Sequence, residues 1–159
     1  MKAPAGLVIG IGNSLRQDDG LGLVVASQAS GAAVRLVHQL TPELAAELAC
    51  VDRVLFVDAW VVDAWVIDQP PLATPRPCLL PLDADGPWAM ACAPAAMAHQ
   101  LQPAQVLALC AALYQHRPRA ALLLLPAHAL GHGTGLSAAA AAQLPLALDL
   151  LHRWLRGDA

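Results

Sequence analysis

The stretch that decides the fold runs from Gly6 to Gly22. It reads Gly6-Leu7-Val8-Ile9-Gly10-Ile11, then Gly12-Asn13-Ser14-Leu15-Arg16-Gln17-Asp18-Asp19-Gly20-Leu21-Gly22. The first six residues are an apolar run ending at a glycine, the pattern of a short strand buried on both faces. The polar middle, flanked by glycines, reads as a loop. From Leu21 to Ser30 aliphatic and small residues return and read as a helix. Strand, loop and helix in this order form the first unit of an α/β fold. The loop after such a strand is where an open parallel sheet gathers its functional groups.

The same alternation continues down the chain. Ala33 to Val37 is β-branched and apolar, a second strand. Thr41-Pro42-Glu43-Leu44 opens a helix that runs to about Cys50: threonine caps, proline takes the first helical position and an acid lies in the first turn. Arg53 to Val57 is a third strand, ending at Asp58-Ala59. Residues 60–98 are rich in proline and alanine. Within them Cys78 to Leu82 reads as a strand, and the surrounding prolines place it at a sheet edge. Pro103 to Tyr114 is a helix with Gln102 or the residues before it at its start, and Ala120 to Leu125 is another buried strand. Gly131-His132-Gly133-Thr134-Gly135 reads as a flexible loop. Leu136 to Leu155 is a terminal helix, capped near Ser137 and bent at Pro145. The expectation is a single α/β domain over residues 1–159: three layers, a mostly parallel twisted sheet of about five strands, and helices on both faces.

Composition narrows the function. The chain has 159 residues and a formal charge of −3, with Lys2 as its single lysine. It lacks a basic nucleic-acid footprint, so no nucleic-acid partner is expected. No apolar run is long enough for a membrane span. The start leads directly into the first strand without a signal-peptide pattern. Cys50, Cys78, Cys92 and Cys110 form no CxxC pair, which fits buried, reduced thiols in a cytoplasmic protein rather than a zinc ribbon or redox motif.

Three residues could carry chemistry. Asp19, with Asp18 before it, lies in the loop after the first strand. Asp58 ends the third, and His99 precedes the Pro103 helix. Two carboxylates and an imidazole suit a divalent metal. Each also has a plain structural use: Asp19 as a helix cap, Asp58 as an acceptor in a turn, His99 as a solvated residue at a loop–helix junction. Spacing alone does not bring the three together.

Gly10-Ile11-Gly12-Asn13-Ser14-Leu15 with Asp18-Asp19-Gly20-Leu21-Gly22 resembles the hydrogenase maturation protease family. The likeness continues through Val54-Leu55-Phe56-Val57-Asp58-Ala59, His99-Gln100-Leu101 and Gly135-Leu136-Ser137, in the family's order and over residues 6–155. Members of this family are endopeptidases that trim the C-terminus of the large subunit of nickel–iron hydrogenases. The resemblance implies that Asp19, Asp58 and His99 are the metal-binding and catalytic residues. They would engage nickel already held by the large-subunit precursor, which is the implied partner. A cytoplasmic monomer is expected. Asp63 stands in the same Val-Asp-Ala-Trp-Val context as Asp58 and is its rival. After the second strand many relatives carry a glycine-rich loop ending in threonine, implicated in substrate choice. Here that place reads His38-Gln39-Leu40-Thr41-Pro42.

Peptide hydrolysis needs an activated water and stabilisation of developing negative charge, and a metal supplies both. Ser14 is in no GxSxG elbow and no HExxH helix exists. A dinucleotide site is disfavoured, because Leu15 stands where the third glycine of GxGxxG belongs. His128 and His132 read as solvated loop residues. The alternative reading is a non-cleaving binding protein or chaperone for the metallated large subunit.

Overall fold

The apolar run opening the chain forms β1, Gly6–Ile11, with every residue buried. It pairs in parallel with β2, Ala33–Val37, on one side and with β3, Arg53–Val61, on the other. β3 also pairs in parallel with β5, Arg119–Ala127, whose far side takes the antiparallel edge strand β4, Cys78–Leu82. The sheet order is therefore β2-β1-β3-β5-β4. This computed structural model describes residues 6–61, 75–82 and 101–158. Among them no helix is long and apolar enough to cross a membrane.

The helices are α1, Leu21–Ala26, α2, Leu44–Leu48, α3, Pro103–Tyr114, α4, Ala138–Ala141, and α5, Leu144–Arg156. One apolar cluster joins α2 and α3 to Ile9, Phe56, Trp60 and Leu124. A second joins α1, α4 and α5 to Val8, Val57 and Leu123. Alternate strand residues thus face opposite helical layers, and the three-layer expectation holds. The mostly parallel sheet, its five strands and the edge position of β4 are as expected.

Several element ends differ from the sequence reading. α1 stops at Ala26, and a 3-10 turn, Gln17–Gly20, precedes it. α2 begins only at Leu44, and Thr41 gives it no side-chain cap; Thr41 instead closes a turn through its carbonyl, which accepts from the Leu44 N–H. The C-terminal helix is two helices rather than one bent helix. Ser137 caps the first by accepting from the Ala140 N–H, and Pro145 falls in the first turn of the second. Proline lacks the N–H that a continuous helix would need there, so the chain restarts at Leu144. β3 continues to Val61, so Asp58 lies within the strand; Ala59, Trp60 and Val61 find partners in Leu125, Pro126 and Ala127 of the longer β5.

Candidate active site

The strand order reverses direction between β1 and β3. From β1 the chain moves outward to β2, then returns to β3 on the other side. The crevice beyond the carboxyl ends of these two strands is the switch point where open α/β sheets bind ligands. The loop after β1 carries Asp18 and Asp19 to it. Asp58 lies one residue past Val57, the last β3 residue paired with β1.

Two glycines make the approach possible. A Cβ on Gly12 would stand 1.9 Å from the Asp19 carbonyl oxygen, at a φ of +154°. The loop therefore folds back until residue 19 rests on the end of β1. A Cβ on Gly22 would meet the carbonyl oxygens of Ile11 at 2.4 Å and Val57 at 2.6 Å. The first turn of α1 thus sits directly on the ends of β1 and β3. The glycines of the opening motif hold the acidic loop against the strand carrying Asp58.

Asp19 is half-buried, and its Oδ2 accepts from the Asn13 N–H at 3.0 Å. Asn13 Oδ1 in turn accepts from the Leu15 N–H at 2.9 Å. Asp58 is buried. Its oxygens accept from the Ala59 N–H at 2.9 Å and, at 3.3 Å, from the Trp60 indole N–H. Burial pushes the Asp58 carboxyl up to about 7. The Trp60 and Ala59 donors oppose this, and the negative charge of Asp19 reinforces it. The electrostatic coupling shows that the two acids share one neighbourhood.

Asp18 does not cap the helix that follows. Its carboxylate crosses to the loop after β5, accepting from the N–H groups of His128 at 2.9 Å, Ala129 at 2.8 Å and Ser137 at 2.7 Å, and from the Ser137 hydroxyl at 2.7 Å. Burial raises its pKa, but the Ser137, Ala129 and His128 donors outweigh that and hold it below the ordinary carboxylate value. Sequence reasoning missed this anchor. Its signal lay in the pairing of Asp18 with Gly135-Leu136-Ser137, two motifs far apart in sequence that meet here.

The glycine loop is stitched down rather than loose. Gln17 N–H donates to the Gly133 carbonyl at 3.1 Å, Gly133 N–H to the Leu15 carbonyl at 2.9 Å, and Gly131 N–H to Gln17 Oε1 at 2.8 Å. His128 and His132 are exposed, and His128 Nε2 lies 2.7 Å from the Gln143 amide nitrogen. Of the cysteines, Cys78 and Cys110 are buried as expected, but Cys50 is exposed at the end of α2. Trp60 is a core residue of the α2–α3 layer rather than a surface contact.

His99 and the rival Asp63 lie outside the described residues, as do Trp65, Trp88 and Cys92. Among the described residues no group of three His, Cys, Asp or Glu side chains could hold a metal ion. The chain just after His99 is described. Leu101 packs into the α2–α3 layer, and Gln102 opens α3 with a reciprocal capping box to Gln105. The far end of α3 lies at the amino-terminal edge of the sheet, where His116 bonds the Val51 carbonyl just ahead of β3. A helix of 12 residues, about 18 Å long, returns from there toward the carboxyl-terminal edge. It covers the sheet face shared by Phe56 and Trp60, on which Asp58 also falls by strand alternation.

No family model matches the sequence, and no curated protein matches it. Solved structures do. The chain is similar to the hydrogenase maturating endopeptidase HybD from E. coli, with 20% identity and a TM-score of 0.66 over 97% of this chain and 93% of that one. It is also similar to the [NiFe] hydrogenase maturation protease HybD from Thermococcus kodakarensis, with 18% identity and a TM-score of 0.61 over 94% and 98% of the two chains. The maturation protease HycI from Thermococcus kodakarensis KOD1 gives 18% identity and a TM-score of 0.62 over 96% and 91%. The fold is therefore the one shared by these hydrogenase maturation proteases. The resemblance carried by the sequence motifs and the structural likeness arrive at the same fold.

Proposed function

We propose that this chain is a cytoplasmic endopeptidase that removes the C-terminal extension of a nickel–iron hydrogenase large-subunit precursor after nickel insertion. Asp19, Asp58 and His99 would bind the nickel presented by the substrate and so place the scissile bond. The observation that carries this reading is the convergence of Asp19 and Asp58 at the β1–β3 switch point of a fold shared with named maturation proteases.

The two acids suit a cation held by a partner. Among the described residues Asp58 has two donors and an anionic neighbour, so it gains from an arriving positive charge. Among the described residues Asp19 is held through its Oδ2 by one backbone N–H, that of Asn13. An imidazole from residue 99 would complete a two-carboxylate, one-nitrogen set, and α3, which starts at Pro103, lies over Asp58's face of the sheet. The substrate's nickel would polarise the peptide carbonyl or an attacking water. Ser137 is an unsuitable nucleophile because its hydroxyl is committed to Asp18 and to capping α4.

The test is to co-express the large-subunit precursor with this chain and measure the C-terminus by mass spectrometry. Wild type is expected to yield the shortened subunit only when nickel is supplied. Asp19→Ala, Asp58→Ala and His99→Ala are each expected to leave the precursor at full length. Normal processing by all three variants would remove the site assignment. A stable complex with an intact nickel-loaded precursor would mark a binding protein instead.

A further inference from the structure

We propose that the cavity between the amino-terminal ends of β3 and β5 and the end of α5 binds a small molecule with an apolar body and a single anionic head. The site is separate from the acids of the switch point. Arg53, which lines it, starts β3, and Asp58 follows five residues later, about 16 Å along the strand. Nothing in the site depends on the endopeptidase reading above. Among the described residues the cavity measures about 420 Å³, within the size range of small-molecule sites. Leu79 and Pro81 of β4, Ala121 of β5 and Trp154 of α5 give it apolar walls, and Arg53 and Arg119 give it charge. Trp154 is buried, and Leu79 and Ala121 belong to the same apolar cluster. The walls are thus built on strands and a helix rather than on a loop.

The two arginines identify the head group. They are the first residues of β3 and β5 and are partners in register. Register partners share a face of the sheet, so two like charges stand side by side, which is unfavourable without an anion. Their roles differ. Arg53 donates to the Trp154 carbonyl at 2.5 Å and to the Leu155 carbonyl at 2.7 Å, and its guanidinium lies 4.4 Å from the Trp154 ring centroid. It closes the end of α5, where carbonyls lack helical partners. Arg119 is exposed, and among the described residues its guanidinium has no acceptor. One guanidinium is occupied and one is available, which fits a single anionic head.

The surroundings carry the same sign. A neighbouring cavity of about 360 Å³ shares Leu79 and adds Arg76 and Arg153. Four of the chain's nine basic residues therefore line the two cavities, although the formal charge of the chain is −3. The lining acid among the described residues, Asp158, accepts from Arg156 at 2.9 Å. Such a field draws in an anion. The apolar walls select one that carries an apolar body, because a bare hydrated ion loses its water against them without replacement.

The experiment titrates the full chain with octanoate, octanol and inorganic phosphate, reading affinity by calorimetry and location by backbone amide NMR shifts. Octanoate is expected to shift the amides of Ala120, Ala121 and Gly157, which line the cavity. It is expected to bind at least about tenfold more tightly than octanol or phosphate, the difference that a charge-assisted bond and an apolar body each supply. Arg119→Ala is expected to weaken octanoate by about tenfold or more and to leave octanol unchanged. Its melting temperature should match wild type, since the side chain is exposed. Octanol or phosphate binding as tightly as octanoate overturns the inference, as do shifts confined to other residues. Equal octanoate affinity for wild type and Arg119→Ala overturns it too. So does the absence of any octanoate heat or shift up to about 5 mM, a concentration at which even a millimolar ligand registers.

Discussion

Asp18 and Asp58 lie at the same edge of the sheet, both withdrawn from water, and the protein treats them in opposite ways. Around Asp18 four donors converge from a loop more than a hundred residues away. Around Asp58, among the described residues, two donors come from its own strand, and a neighbouring acid adds repulsion. Burial raises both carboxyls, but only Asp18 has donors enough to reverse it. Depth alone therefore does not set the ionisation of these two acids; donor supply does. Asp18 is a fully satisfied anion that binds two loops together. Asp58, among the described residues, has fewer donors and a raised pKa.

The largest expected effect falls on the satisfied acid. Asp18→Ala leaves the His128, Ala129 and Ser137 donors without their acceptor and releases the loop after β5. A loss of about 3–5 kcal/mol is expected, comparable to breaking other buried charged networks. For a chain of this size that lowers Tm by roughly 10–15 °C. Thermal melts followed by circular dichroism measure it. Asp58→Ala should fold with far less damage while losing function. A melt of Asp18→Ala close to wild type would erase the distinction between the two acids.

The sequence carried the sheet because each buried strand is a short apolar run and each helix has its own period. Gly10, Gly12 and Gly22 were legible as part of the opening motif, but the close approach that requires them shows only in the fold. Strand ends were harder to read. Asp58 looked like a terminus because a charged residue interrupts the run, whereas the continuation depends on β5 supplying Leu125, Pro126 and Ala127 as partners. Thr41 looked like a cap because cap chemistry is local, yet tertiary packing set the start of α2 three residues on. The role of Asp18 was least legible. Its donors are three backbone N–H groups and one hydroxyl, and backbone groups leave no mark in a sequence. Asp19 and Asp58 were legible as candidates because carboxylates are rare in an apolar frame, and their meeting followed from the β1–β3 neighbourhood.

A pH series sharpens the same contrast, because the two acids drive stability in opposite directions. Asp58 is raised to about 7 when folded, against an ordinary unfolded value near ~4. Between those limits the native chain keeps a proton that the unfolded chain releases, so this group's contribution to stability falls as pH rises from about 4 to about 7. Asp18 is lowered, so its contribution is present above the ordinary carboxylate value and is lost as pH falls through its folded value. Asp58→Asn is therefore expected to melt above wild type at pH 8, by several degrees, with the gap closing toward pH 4. Melts at matched ionic strength from pH 3 to 9 test this (roughly one unit apart, given carboxylate transitions of that width). A gap that stays constant with pH would mean that Asp58 is ionised throughout and is not the underserved acid of the pair.

The smallest effect tests how local the loop clamp is. Gln17 adopts a φ of 51°, a left-handed conformation that glycine takes more easily. Its Oε1 also holds the Gly131 N–H at 2.8 Å. Gln17→Gly relieves backbone strain of about 1 kcal/mol and forfeits a hydrogen bond of about the same net worth. Global stability should thus move by less than about 1 kcal/mol. The loop responds differently, because the Gly131 amide loses its acceptor while Asp18 still holds His128, Ala129 and Ser137. Amide exchange at Gly131 is expected to quicken in Gln17→Gly, with the Ala129 and Ser137 amides keeping their protection. If those amides quickened too, the clamp would depend on Gln17 as much as on Asp18, and the fully satisfied acid would no longer account for the protection of the loop by itself.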